Sequence, residues 1–239
     1  QSIVFRYGLS TIFPAEVRQE ADKISYAIAA EEIAARTDLR SLPIVTIDGE
    51  TARDFDDAVY VRRQGAGYEL YVSIADVAAY VAPGSALDQE AYARATSVYF
   101  PDRAIPMLPE ALSNGICSLN PREDRLTKTA CMEFNARGDV VRSRFFNSVI
   151  RSHERMTYTN VRRVLIDRDA EVLERYKDLI EQFQLMEELA LLIHAQRKAR
   201  GNLDFDLPEA EIILDIQGAP ENIVRAERNV AHRIIEEFM

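Results

Sequence analysis

The chain has 239 residues, 47% of them apolar and 28% charged, with a net charge of −10. It is long enough to bury a core as one large domain or two small ones, and its acidity argues against coating nucleic acid by bulk charge while leaving room for a local basic channel. Two cysteines, Cys117 and Cys131, are too few for a disulfide scaffold and fit a reducing, cytoplasmic setting; with no C-x-x-C pair, no signal-peptide pattern and no run near the ~20 apolar residues of a membrane span, a zinc site and a membrane protein are not expected.

Taken in order, residues 15 to about 36 read as one amphipathic helix starting after Pro14. Residues 42–47, 58–63 and 68–75 read as strands, the last two joined by the turn QGAG as a hairpin. A short helix is expected over about 86–96. The prolines of 98–121 block any long element there, so that stretch reads as an ordered loop. Residues 125–152 read as two strands around the turn ARGD. The clearest helix is 170–200, with basic residues in its last turn and Gly201 as its cap. A strand at 210–216 and a helix from about 226 to the end complete the chain, with no evident linker dividing two domains.

The stretch TIDGETARDFDDAVYV, residues 46–61, places Asp48, Asp54, Asp56 and Asp57 within ten positions, with Glu50 beside them. Carboxylates packed together repel one another, and burial makes each harder to charge. Protonation or a cation must relieve that cost. If 54–57 is extended, Asp54 and Asp56 share a face and Asp57 points away, so a turn or bulge is needed to gather three at one point. An all-oxygen donor set suits Mg²⁺ or Mn²⁺. A calcium EF-hand loop fits badly: counted from Asp54, the glycine position is Val59 and the closing glutamate position is Gly65. Caps and turn residues of a surface loop are the other reading of the same string.

This string resembles the signature of the ribonuclease II and ribonuclease R family, whose catalytic module is the RNB domain. Further blocks resemble that family in the same order: residues 97–134, SHERMTYTNV at 152–161, GNLDFDLPEAEIIL at 201–214 and RNVAHRIIEEFM at 228–239. The LDFDLPEAE block is closer to ribonuclease R. Residues 1–40 resemble a segment connecting N-terminal cold-shock barrels to the RNB domain, which would occupy 41–239. The implied fold is mixed α+β, a largely antiparallel mixed sheet flanked by helices, incomplete on its C-terminal side.

The resemblance implies a processive, hydrolytic 3′→5′ exoribonuclease that takes the 3′ end of single-stranded RNA and releases nucleoside 5′-monophosphates with Mg²⁺, or Mn²⁺ in its place. It makes Asp48 and Asp57 the direct metal ligands, Asp54 a support, and Asp56 the residue most critical to the chemical step. Together these carboxylates should converge on one ion-sized point. Tyr99 matches a tyrosine that stacks on the RNA 3′ end, and Phe205 an aromatic clamp; ordinary core packing is the alternative for both. Arg94, Arg103, Arg122 and Lys128 are candidates for a phosphate channel or for solvated surface charge. Arg53 either stabilises transition-state charge or orients Asp54 or Asp56. His153, His194 and His232 are scattered singles, with packing or surface roles expected for the last two. A Ser-His-Asp set and a Gly-rich phosphate loop are both missing from the sequence.

Compared with an intact family member, the chain resembles only about the first half of the catalytic domain. A catalytic arginine block, a further acidic residue and a C-terminal RNA-binding barrel would follow. The expectation is that these 239 residues alone are inactive or nearly so. A non-catalytic RNA-binding or regulatory member of the fold, or a metal-binding scaffold, are the alternatives.

Overall fold

The computed structural model describes residues 2–203, 210–215, 217, 219–225 and 227–239. In chain order its elements are α1 (Ser2–Arg6), α2 (Ala15–Ala21), α3 (Ala30–Ala34), β1 (Thr37–Asp38), β2 (Val45–Asp48), β3 (Asp57–Gln64), β4 (Gly67–Ala75) and α4 (Ala86–Arg94). There follow β5 (Val98–Tyr99), β6 (Ala104–Ile105), β7 (Asp124–Phe134), β8 (Val140–Arg151), β9 (Glu154–Thr157), α5 (Tyr158–Arg162), α6 (Ala170–Arg175) and α7 (Ile180–Ala199). The last are β10 (Ala210–Leu214), β11 (Pro220–Arg225) and α8 (Val230–Phe238). The chain sorts into two compact units interleaved in sequence, so no single linker separates them. One comprises 1–27, 77–116 and 208–226, the other 28–76, 117–207 and 227–239.

The second unit is built on a seven-stranded sheet in the order β1-β8-β7-β4-β3-β2-β9. Its interior pairs are antiparallel, and its two outermost pairs, β1 with β8 and β2 with β9, are parallel. Strand alternation sends Val59 and Val61 of β3, and Tyr68, Leu70 and Val72 of β4, to one face, where Val161, Phe183, Met186, Leu189 and Ile234 cover them from the helices. Each such buried side chain contributes about 1.5–3 kcal/mol relative to exposure. The opposite face buries Ala58, Tyr71, Cys131 and Ile150 against Leu39, Ile44, Phe55 and Leu119. The same face carries a buried run of hydroxyls, Ser73–Thr129–Ser148–Thr127, linked at 2.6–2.8 Å, which satisfies groups that would otherwise be costly to bury.

The β3–β4 hairpin follows the sequence expectation. Gly65 takes φ +59°, and a Cβ on Gly67 would sit 1.9 Å from the Phe134 carbonyl, so both glycines are needed. Three expectations change. The helix of 15–36 is two short helices, one in each unit. Between them the Ser25 hydroxyl exchanges hydrogen bonds with the Ala27 backbone, a local alternative to helix. The helix of 170–200 breaks at Tyr176, at φ −111° and ψ 25°; Asp169 caps the first piece, and Gly201 (φ +89°) follows the end of α7 as expected. Strand β10 pairs with β11, which the sequence reading does not contain. The first unit carries α1, α2, α4, the β5–β6 hairpin within the proline-rich stretch, and β10–β11.

Candidate active site

Asp48 is the last residue of β2 and Asp57 the first of β3. These strands pair through Val45 and Val59. The connecting loop, 49–56, is tied down at several points. The Phe55 amide donates to the Ser118 hydroxyl at 3.0 Å, and that hydroxyl donates to the Arg53 carbonyl at 3.0 Å. The Asp56 carbonyl accepts from the Ala75 amide at 2.9 Å. Arg155, on the neighbouring β9, donates from Nη2 to the carbonyls of Gly49 and Glu50 at 2.8 Å, with its guanidinium 5.3 Å from the centre of the Phe55 ring. Strand ends, loop and arginine together fix where the carboxylates emerge.

Their electrostatics are unfavourable as the protein stands. Burial, then Asp57, push Asp48 up to about 7; Arg155 opposes this, and Asp56 and Asp54 add to it. Asp56 is raised by burial and by Asp54 and Asp57, although its edge reaches solvent, and Asp57 is raised by burial. The Oδ2 atoms of Asp48 and Asp57 are buried with no hydrogen-bond partner. Buried acceptors of this kind are costly unless something positive meets them. Hard oxygen donors with buried atoms that no hydrogen bond meets have the chemistry of a divalent-cation site. The expectation that three of them already meet at one ion-sized point is not fulfilled: among the described residues, no three His, Cys, Asp or Glu side chains lie close enough to hold an ion.

The structure adds further residues to this region. Tyr158, following the β9 residue Thr157 that pairs with Asp48, has its phenol pushed up to about 12 by burial, Asp48, Asp57 and Glu236. Its ring stacks on His232, with centroids 3.8 Å apart. Burial and the Asp56 charge push the Cys117 thiol up to about 12, which makes it inert wall rather than nucleophile. Glu50 lies below its usual value: burial opposes this, and hydrogen bonds from Thr159 and Thr157 outweigh it. Glu50 neighbours the aspartates in sequence, whereas Tyr158 and Cys117 reach them only through long-range pairing that no local spacing signals.

The remaining candidates fare differently. Arg94 does not present a free guanidinium. It packs 3.9 Å from the Phe13 ring centre, pairs with Glu90 and donates to the carbonyls of Ser10, Ile12 and Pro106, so it holds its own unit together. In that same unit, Tyr99 lies on β5 with 66% of its surface exposed, and Arg103 is half-exposed beside Asp102. Phe205 lies outside the described residues. Arg122 is exposed, 3.9 Å from Glu154, and Lys128 reaches Asn147 at 3.1 Å and Asp76 at 3.5 Å. Arg53 is exposed and contributes its carbonyl to the loop anchor. His194 pairs with Glu237 at 2.9 Å, a packing role as expected.

A family model described as the RNB domain matches residues 36–239. The chain belongs to the RNB domain family. Ribonuclease R of Escherichia coli is 44% identical over 229 residues, covering 95% of this chain and 28% of that protein. Among solved structures, Mycoplasma genitalium RNase R in complex with double-stranded RNA superposes with a TM-score of 0.91 at 34% identity, covering all of this chain and 42% of that one. The same protein in complex with ribose-methylated single-stranded RNA gives 0.90 at 34% identity, with 100% and 37% covered. This RNB chain thus spans about 28% of the length of the Escherichia coli relative. The mixed seven-stranded sheet flanked by helices is the RNB architecture in these neighbours.

Proposed function

We propose that this chain contributes the acidic part of the active site of a metal-dependent, hydrolytic 3′→5′ exoribonuclease. The observation that carries the reading is the pair Asp48 and Asp57, each with a buried, unpartnered carboxylate oxygen, beside Asp54 and Asp56 on an anchored loop. Kinship with ribonuclease R, and the RNA complexes of the Mycoplasma protein, support an RNA substrate.

On this reading Asp48 and Asp57 hold Mg²⁺, with Mn²⁺ as its substitute, and Asp54 supports them. When bound, such a cation supplies water activation and stabilisation of the departing oxygen. The residues of the chain do the rest. Asp48 sheds its proton near neutrality and becomes available as a ligand. Asp56, at the solvent edge, orients the attacking water toward the phosphate. Tyr158 stays protonated at neutral pH and is the nearby group that can offer a hydrogen bond to the reacting atoms. Arg155 keeps the loop in register rather than meeting substrate. Tyr99, with its exposed ring, stacks on bases at the RNA 3′ end, an interaction worth ~1–3 kcal/mol per base. Processive release of nucleoside 5′-monophosphates, a cytoplasmic setting, and partner barrels elsewhere in a longer protein complete the proposal.

The test is incubation of the intact protein with single-stranded RNA and Mg²⁺, with and without EDTA. Mononucleotides are expected only with metal. RNA that is bound but left whole would favour a non-catalytic RNA-binding role instead.

A further inference from the structure

We infer that His232 is a positioning residue for the reaction, holding Tyr158 against the acidic site. The inference rests on the functional reading above and starts from α8. Its N-cap is Asn229, whose side chain accepts from the Ala231 amide at 2.9 Å. The third residue after that cap is His232, whose Nδ1 accepts from the Asn229 amide at 3.2 Å. That bond fixes the imidazole plane.

The fixed plane is what Tyr158 packs on. The two rings lie 3.8 Å apart at 20°, a stacked pair, and the Asn229 amide side chain donates to the Tyr158 carbonyl at 3.5 Å. Tyr158 is thereby held at its backbone and at its ring by one helix N-terminus. On its other side it continues from Thr157, which pairs with Asp48 on the sheet. The phenol has therefore little freedom: β9 sets where its chain emerges, and His232 sets the slope of its ring. Burial, and then the nearby charges of Asp48 and Asp57, raise its phenol. Without the imidazole, the ring could turn into the space behind it and carry the hydroxyl away from the carboxylates. His232 touches neither substrate nor metal on this reading; it acts through Tyr158.

His232 has two separable roles, a stack and a cap, and two substitutions divide them. In the intact protein, His232→Ala removes both. We expect kcat for RNA hydrolysis to fall about tenfold or more with KM within about twofold, the pattern of a misplaced group rather than of lost binding. His232→Phe restores a flat ring but cannot accept the Asn229 amide. We expect kcat within about threefold of the unmodified protein while the melting temperature stays low. In a Tyr158→Leu background, His232→Ala should add no further loss. An alanine variant with unchanged kcat, a phenylalanine variant no better than alanine, or losses that multiply in the double variant would each overturn the inference. The placement itself is read without activity. In the 239-residue chain the His232 ring protons should be shifted upfield in the NMR spectrum by the Tyr158 ring, and Tyr158→Leu should abolish that shift. An unshifted His232 overturns the inference; a shifted His232 in a protein inert toward RNA would instead overturn the functional reading.

Discussion

Asp48 closes β2 and Asp57 opens β3, and each keeps its Oδ2 buried without a hydrogen bond from the protein. Two strands that pair through Val45 and Val59 thus bring like charges to one end of the sheet. A hydrophobic sheet does not need this arrangement for stability. Burying acceptors without donors weakens the fold, and the weakness has measurable consequences.

The first is a pH dependence. Asp48 titrates at about 7 in the folded protein, above its ordinary value of 3.8. The folded state therefore binds this proton more tightly than the unfolded chain does. Its contribution is fully present below about pH 4 and is lost as pH rises toward 7. Asp48→Asn should remove that dependence and raise the stability of the metal-free protein at pH 8. One pKa unit corresponds to about 1.4 kcal/mol, so a gain of at least about that size is expected. Urea unfolding of both proteins at pH 5 and pH 8 measures it. A variant that is less stable at pH 8 would contradict the account.

Divalent cations should reverse the sign. Mg²⁺ or Mn²⁺ at a hundredfold excess over Kd should stabilise the chain by about 2.7 kcal/mol through mass action. Thermal melts with and without EDTA, and calorimetric titration, would show it. Asp48→Asn and Asp57→Asn should each weaken the effect strongly. Equal stabilisation of the Asn variants would place the cation elsewhere.

Chemistry and grip should separate. In the intact protein, Asp56→Asn keeps shape but loses charge, and should slow hydrolysis by orders of magnitude with RNA affinity nearly unchanged. Tyr99→Ala should weaken hold on the 3′ end and alter the size of the final product, leaving the chemical step mostly intact. Gel shifts and product ladders distinguish the two, and equal loss of binding in both would refute the division.

Away from the carboxylates, Asp76 and Arg36 form a buried ion pair at 2.8 Å, with side chains 3% and 5% exposed. Asp76→Ala strands a buried guanidinium and should cost about 3 kcal/mol, the low end for such a loss, because Glu32 still pairs with Arg36. For a chain of this size that is a fall in melting temperature of roughly 6–12 °C. A change below about 2 °C would mean that Glu32 and the Thr127 carbonyl satisfy Arg36 between them.

Much of this was legible in the sequence, for reasons that are local. Val59, Val61, Leu70 and Val72 alternate with the other face of β3 and β4, and Gly65 marks the turn, so the hairpin could be read directly. The aspartates were legible because four of them crowd a stretch bounded by apolar strands. What could not be read depends on partners distant in the chain. Tyr158 and His232 stack across a long separation in sequence. Arg94 has the appearance of a free surface cation until Phe13, Glu90 and three carbonyls are seen around it. The break at Tyr176 lies inside a pattern whose helical periodicity continues on both sides, and only the backbone angles reveal it.

The last prediction concerns the chain by itself. Phosphodiester hydrolysis builds negative charge on the phosphate, and a preorganised cation aimed at that charge is worth ~2.7–4 kcal/mol, or about 10²–10³ in rate. The arginine that acts on Asp48 is Arg155, and its Nη2 is already engaged with the carbonyls of Gly49 and Glu50. It holds the loop, and turning it toward substrate would release that anchor. Arg94 is similarly engaged within its own unit. We therefore expect that charge to come from outside these 239 residues; the chain spans about 28% of the length of the Escherichia coli relative. Single-turnover degradation of RNA in Mg²⁺ or Mn²⁺ should accordingly be at least about 10²-fold slower for the 239-residue chain than for the intact protein, with weaker RNA binding besides. Comparable rates would show that residues 1–239 contain a complete catalytic set, and Arg53, exposed on the site loop, would then be the first residue to substitute.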